Sequence, residues 1–204
     1  MSGVFADNAP RYAERGLSVF PVVRAEKRPS TKGPFKPVSH TKLDWLCSKF
    51  ANHNLAIRAG ASGKTVVDID DPKLIQLMID RFGPTPVMAR TPSGGAHLWY
   101  QDNGESRKIK IDGLDVDIMA DRSLVMCPPS FRDDGKAYRF VRGSLDAIGN
   151  LPHIRPGSLP ERPTAPKTPK ARQAPQPKGQ GRNNALFKAV KDFAAGLQVT
   201  SFDH

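Results

Sequence analysis

Cysteine is almost absent from this chain of 204 residues: Cys47 and Cys127 are the only two. Two thiols cannot build a disulfide framework, and a zinc cluster made of cysteine alone needs four of them. Long apolar runs are missing too. No stretch approaches the roughly 18 consecutive apolar residues of a membrane span. Residues 1–16 hold neither the basic cluster nor the apolar run of a secretory signal. Acids are in short supply, 20 Asp plus Glu against 31 Lys plus Arg, for a formal charge of +11. These shortages imply a soluble, reduced, cytoplasmic protein with no membrane partner. The charge favours a polyanion, most simply nucleic acid.

The charge is unevenly distributed. Residues 155–182 carry seven basic residues and seven prolines against one acid, Glu161, with Leu159 the single large apolar side chain. Such a stretch cannot bury a core and reads as an extended, disordered linker. It accounts for +6 of the +11, so the folded part is only mildly basic. In residues 183–204, Leu186, Val190, Phe193 and Leu197 recur at helical spacing. One amphipathic helix does not hold itself in water, so this reads as the start of a helical domain or as a helix that docks elsewhere.

Residues 1–154 read as one domain. A short helix capped by Asp7 or Asn8 precedes a strand from Leu17, and a basic loop follows over residues 24–37. Thr41 can cap a second helix with Leu43, Leu46, Cys47 and Phe50 on one face. Strands NLAIRAG and TVVDID are joined by a hairpin turn at Ala61-Ser62-Gly63-Lys64. A helix over residues 72–82 turns Leu74, Leu77, Met78 and Ile79 inward, and further strands start near Val87, His97, Leu114, Leu124 and Tyr138. The helices are too few to flank these strands on a regular βαβ plan, so the fold class is α+β. Trp45 and Trp99 read as core residues.

Gly60-Ala61-Ser62-Gly63-Lys64-Thr65 imitates a phosphate-binding loop, but two residues separate its glycines where four are needed. A β-branched run follows it, where such a loop must open a helix. Asp68 and Asp70 are a sharper signal. On a strand, residues i and i+2 share a face, so two carboxylates point one way while Val67 and Ile69 pack the other. Such carboxylates repel unless a cation sits between them, and hard oxygen donors suit Mg²⁺ or Mn²⁺. Alone, the pair reads equally as an exposed strand end with Asp70-Asp71-Pro72 capping the next helix. Leu114-Asp115-Val116-Asp117-Ile118 repeats the pattern, and two acidic faces on neighbouring strands could make a two-metal site. Between them lies Thr91-Pro92-Ser93-Gly94-Gly95-Ala96-His97. Its glycines permit an anion nest of backbone N–H groups, and His97 stands beside it as a hydrogen-bond donor. A lone histidine is more often structural; this setting favours a ligand-binding role.

In order along the chain, KRP from Lys27, VVDID ending at Asp70, TPSGGAHLWY from Thr91 and VDIMADRSLVMCPPS from Val116 resemble the prim-pol branch of the archaeo-eukaryotic primase superfamily. That family supplies the catalytic domain of many plasmid and phage replication proteins. The resemblance covers roughly residues 12–140. It implies an RRM-like catalytic sheet joined to an N-terminal α/β module. It also implies a DNA primase/polymerase: a nucleotidyltransferase adding nucleoside triphosphates to a 3′-hydroxyl on a single-stranded or primer-template DNA. Asp68, Asp70 and Asp117 would be the catalytic acids and would hold Mg²⁺ or Mn²⁺. Arg90, Ser93, Gly94, Gly95 and His97 would bind the nucleotide. Ungapped spacing to Val125-Met126-Cys127-Pro128-Pro129-Ser130 selects Asp117 over Asp115 as the third acid. Met119 stands where relatives often carry a basic residue. Lys27, Arg28, Lys32 and Lys36, with Arg107, Lys108 and Lys110, would meet DNA phosphates. Arg182-Asn183-Asn184-Ala185-Leu186-Phe187 looks like the opening of the helical domain that commonly follows, which with a helicase completes the implied partners. The chain would then be a fragment or a reduced version. The alternative reading is a catalytically silent DNA-binding replication initiator. A metal-dependent glycosyltransferase would explain the acids but not the order of the motifs.

Overall fold

The computed structural model describes residues 3–24, 28–31, 38–105, 109–111 and 113–160. The expected linker beyond residue 160 and the helix over residues 183–204 lie outside them, as do Lys27, Lys32, Lys36, Arg107 and Lys108. No helix among the described residues is long and apolar enough to cross a membrane.

The architecture is mixed α/β with antiparallel sheets. Strands β1 (Val19–Val22), β2 (Asn54–Arg58) and β8 (Leu124–Met126) form one sheet in the order β1-β2-β8. The larger sheet takes β3 (Lys64–Ile69), β4 (Met88–Arg90), β5 (Ala96–Gln101), β6 (Ile109–Lys110), β7 (Val116–Met119) and β9 (Arg139–Arg142) in the order β6-β7-β3-β5-β4-β9. Helices α1 (Val4–Ala13), α2 (His40–Lys49) and α3 (Ile75–Phe82) complete it.

Period-two alternation decides which face of the larger sheet meets what. Val67, Ile69, Leu98, Tyr100 and Ile118 share a core with Met78 and Phe82 of α3. On the other face Val66 and Trp99 join Leu55, Ile57 and Val125 of the small sheet and Phe5 and Tyr12 of α1. Asp68 points to that second face, beyond the edge of its apolar filling.

Several local expectations shift. Helix α1 begins at Val4, because Phe5, Ala9 and Tyr12 form a buried stripe that extends past Pro10 toward the N-terminus. Ser39, not Thr41, caps α2 by accepting from Lys42 N. Its Trp45 is exposed beneath Lys42 rather than in the core, whereas Trp99 is fully buried. In α3, Leu77 is exposed, while Met78 and Phe82 face inward after a 3-10 turn over Pro72–Leu74. The turn at residues 60–63 is not a hairpin, since β2 and β3 belong to different sheets. Residues 155–160, expected as linker, lie against α3: Arg155 N donates to Phe82 O at 2.9 Å and Arg81 Nε donates to Ser158 O at 2.8 Å.

Candidate active site

Strand β3 lies between β5 and β7, and its register sets the site. Asp68 stands directly opposite His97 on β5 and directly opposite Asp117 on β7. Directly opposed residues project from the same face. Asp117, Asp68 and His97 therefore form one row across the sheet, with Lys110 of β6 opposite Asp117 at one end and Ala89 of β4 opposite His97 at the other. His97 Nε2 lies 3.2 Å from Asp68 Oδ1; the imidazole is buried and the carboxylate 28% exposed.

Asp68 and His97 open into a cavity of about 270 Å³ whose other walls are β8, Met119 and Tyr138. The Tyr138 ring lies 5.5 Å from the imidazole. Burial pushes the Tyr138 phenol up to about 12, and the Asp68 carboxylate adds to the effect. From the sequence alone Tyr138 is only the start of a closing strand. An aromatic just after a glycine turn was the available hint, but only the tertiary fold brings it to His97. The second imidazole nitrogen, Nδ1, is buried with no hydrogen-bond partner among the described residues.

One step along, Asp70 N donates to Asp115 O at 2.9 Å, and both of these side chains are exposed. Asp117, not Asp115, is thus the acid opposite Asp68. Asp70 is exposed and Asp68 and Asp117 are half-buried, so desolvation alone does not demand a bound cation.

The turn over residues 91–95 lies against the end of β3. Gly95 permits this: a Cβ there would fall 2.0 Å from Ile69 O and 3.0 Å from Asp70 O. Gly94 takes φ +99, and its N–H donates to Thr91 O, while Thr91 N donates to Gly95 O. Two backbone donors of the expected anion nest are therefore committed inside the turn. Ser93 is exposed, with its hydroxyl 3.0 Å from that of Thr91. Arg90 is not brought into the acidic row. It sits one rung along, opposite Ala96, donates to Gly94 O at 2.9 Å, and lines a different cavity. Of the other expected DNA contacts, Lys110 and Arg28 are exposed, and the Arg28 carbonyl accepts from Val23 N.

Among the described residues, no group of three or more His, Cys, Asp or Glu side chains is gathered around one point suited to a metal. The row does supply an opposed carboxylate pair, Asp68 and Asp117. Mg²⁺ typically takes one or two carboxylates and completes its shell with water and substrate phosphates. The donor chemistry therefore fits a hard divalent ion brought in with a phosphate-bearing substrate.

No curated protein matches the chain. The family model described as "Bifunctional DNA primase/polymerase, N-terminal" matches residues 9–162, which include both sheets, the acidic row and the Ser-Gly-Gly turn. That span is most of the sequence, and the chain belongs to the Prim-Pol family.

Proposed function

We propose that this protein is a DNA primase/polymerase that adds nucleotides from nucleoside triphosphates to a 3′-hydroxyl, directed by a DNA template. The observation that carries the reading is the row Asp117–Asp68–His97 across three adjacent strands, with Asp68 and His97 opening into one cavity. Asp68, Asp70 and Asp117 would hold Mg²⁺ or Mn²⁺, which when bound neutralises phosphate charge and activates the attacking oxygen. Asp68 also accepts from His97 Nε2 and so fixes the imidazole, with Tyr138 against its ring. That leaves Nδ1 as the ring atom for the ligand, accepting from a sugar hydroxyl in the neutral ring or donating to a phosphate oxygen in the imidazolium. Ser93 and the turn at Gly94 and Gly95 border the same end of β3 and would hold the triphosphate with it. The central order β7-β3-β5-β4, with α3 between β3 and β4, supports an RRM-like catalytic sheet. The small sheet with α1 and α2 would be the N-terminal module. The linker beyond residue 160 and the helix over residues 183–204 would join this domain to a helical domain or a helicase in plasmid or phage replication.

The test is to mix the chain with primer-free single-stranded DNA, Mg²⁺ or Mn²⁺, and dNTPs or NTPs, and to resolve the products. Extended or newly primed strands are expected. DNA binding without product under every condition would instead identify a catalytically silent initiator.

A further inference from the structure

All three residues of β8, Leu124, Val125 and Met126, line the acidic cavity. Successive side chains of a strand point to opposite faces, so three consecutive residues share a wall only along the strand's edge. β8 is such an edge, the outer strand of the small sheet. Its ladder shows what that edge offers. Cys127 N donates to Leu55 O, Ala59 N donates to Ser123 O, and Val125 is paired with Ile57 between them. In an antiparallel pair every second residue turns its N–H and C=O away from the partner. Here those are Leu124 and Met126, and among the described residues their backbone groups have no other partner.

Tyr138 adds a side chain to the same wall. The other two tyrosines donate to backbone carbonyls, Tyr12 to Pro128 O and Tyr100 to Gly83 O. Among the described residues Tyr138 Oη has no hydrogen-bond partner, yet it is not one of their sealed polar atoms, as His97 Nδ1 is. Tyr138 N donates to Ser130 O at 2.7 Å, which holds the ring beside His97. An unpaired carbonyl needs a donor, which an ionised phosphate lacks. A sugar hydroxyl both donates and accepts.

Register separates this cavity from the turn assigned to the phosphates. Gly95 packs against Ile69 and Asp70, on one side of the Asp68–His97 rung. Met119, opposite Val66, lies on the other side, and Met119 lines the cavity. With a triphosphate on the turn and its cation at the acidic row, the nucleoside falls into the cavity. Two backbone edge positions, a phenol and an imidazole nitrogen are more than one hydroxyl can engage; they match a pair of neighbouring hydroxyls.

We propose that this cavity holds the sugar of the incoming nucleotide by its 2′- and 3′-hydroxyls, with Tyr138 Oη on one of them, so that the protein selects ribonucleoside over deoxyribonucleoside triphosphates. The proposal rests on the polymerase reading for the place of the phosphates and names the substrate class of that site.

Calorimetry of the full chain with Mn²⁺ would compare ATP, 2′-deoxyATP and 3′-deoxyATP. The proteins are the parent, Tyr138→Phe and a control, Lys73→Gln, in the turn before α3. Loss of either hydroxyl should cost the parent about tenfold in affinity, the effect of one hydrogen bond whose partner is left unpaired. Tyr138→Phe keeps the ring against His97 and should leave Tm unchanged. It should weaken ATP and one deoxy analogue, and leave unchanged the analogue that lacks the hydroxyl Tyr138 holds. The control should behave as the parent, and UTP with 2′-deoxyUTP should give the same ratio as the adenine pair. Equal affinity of the parent for ATP and 2′-deoxyATP would overturn the proposal. So would a Tyr138→Phe chain that weakens all three nucleotides alike or none of them. A preference seen with adenine and lost with uracil would give the edge to the base and overturn it too. Incorporation without sugar preference would sink the proposal and leave the polymerase reading standing. Sugar preference in binding with no incorporation under any condition would do the reverse.

Discussion

Asp68 makes two demands of one side chain: it faces Asp117 across β3–β7 and holds His97 at 3.2 Å across β3–β5. Losing Asp68 or Asp117 removes half of the opposed pair, and several kcal/mol of transition-state charge stabilisation rest on such donors. Asp68→Ala and Asp117→Ala should lower nucleotidyl transfer at least ~100-fold while leaving the fold intact. Asp115→Ala, whose side chain is exposed one rung out, should cost less than about fivefold. Primer extension with Mn²⁺, alongside Mn²⁺ affinity by calorimetry, checks the order; a more damaging Asp115→Ala would move the third acid. His97→Ala should weaken nucleotide binding and spare Mn²⁺. At this scale the sequence was legible wherever alternation applied: VVDID and LDVDIM send acids and apolar residues to opposite faces whatever the tertiary fold. Trp45 was not legible. Leu43 and Leu46 already fill the buried side of α2, so the indole is turned outward under Lys42, and that depends on how α2 sits against α1.

The turn between β4 and β5 shows what an element adds to its residues. In the sequence these glycines stand for backbone freedom, and at Gly94, with φ +99 and open space around it, freedom is the reason. At Gly95 the reason is different. A methyl group there would meet backbone oxygens of Ile69 and Asp70, atoms that cannot rotate away as a flexible side chain can. Gly95→Ala should therefore lift the turn from β3, at a cost of about 1–3 kcal/mol or more, as in other overpacked sites. For a domain of this size that is a loss of at least about 2–4 °C in Tm. Activity should fall further than stability, because the turn borders the acids. Thermal unfolding and primer extension of the same variant check both, and an unchanged Tm would show that the turn yields without strain. The same limit explains the misread turn at residues 60–63. Its local chemistry, ending on Gly63 in the left-handed region, is the same whether the flanking strands pair or part into two sheets. Nothing local in the sequence distinguishes those outcomes.

Across the whole molecule, the order of elements was readable because each apolar run is bounded by turn residues, but the partition into two sheets and the C-terminal boundary were not. Ile154 is buried and Leu159 packs on the core beside α3, a contact that a proline-rich composition hides. The core also encloses all three tyrosines of the chain. Tyr12 donates to Pro128 O at 2.6 Å and Tyr100 to Gly83 O at 2.6 Å, while Tyr138 closes the acidic cavity. Burial raises the first strongly and pushes the other two up to about 12. An unfolded tyrosine ionises near 10. Between about pH 10 and 12 the folded chain therefore holds protons that the unfolded chain has released, so stability is full below pH 10 and falls as pH rises through that window. The buried Cys127 thiol, also pushed up by burial, acts in the same direction from about pH 9. Phenolate absorbance should accordingly stay flat to about pH 10 and then rise in one step together with the loss of far-ultraviolet circular dichroism. A phenolate appearing near pH 10 while the dichroism is intact would mean that one tyrosine meets water. Repeating the titration with Asp68→Asn identifies Tyr138 if its phenolate alone appears earlier, since that substitution removes a charge that helps keep its proton on.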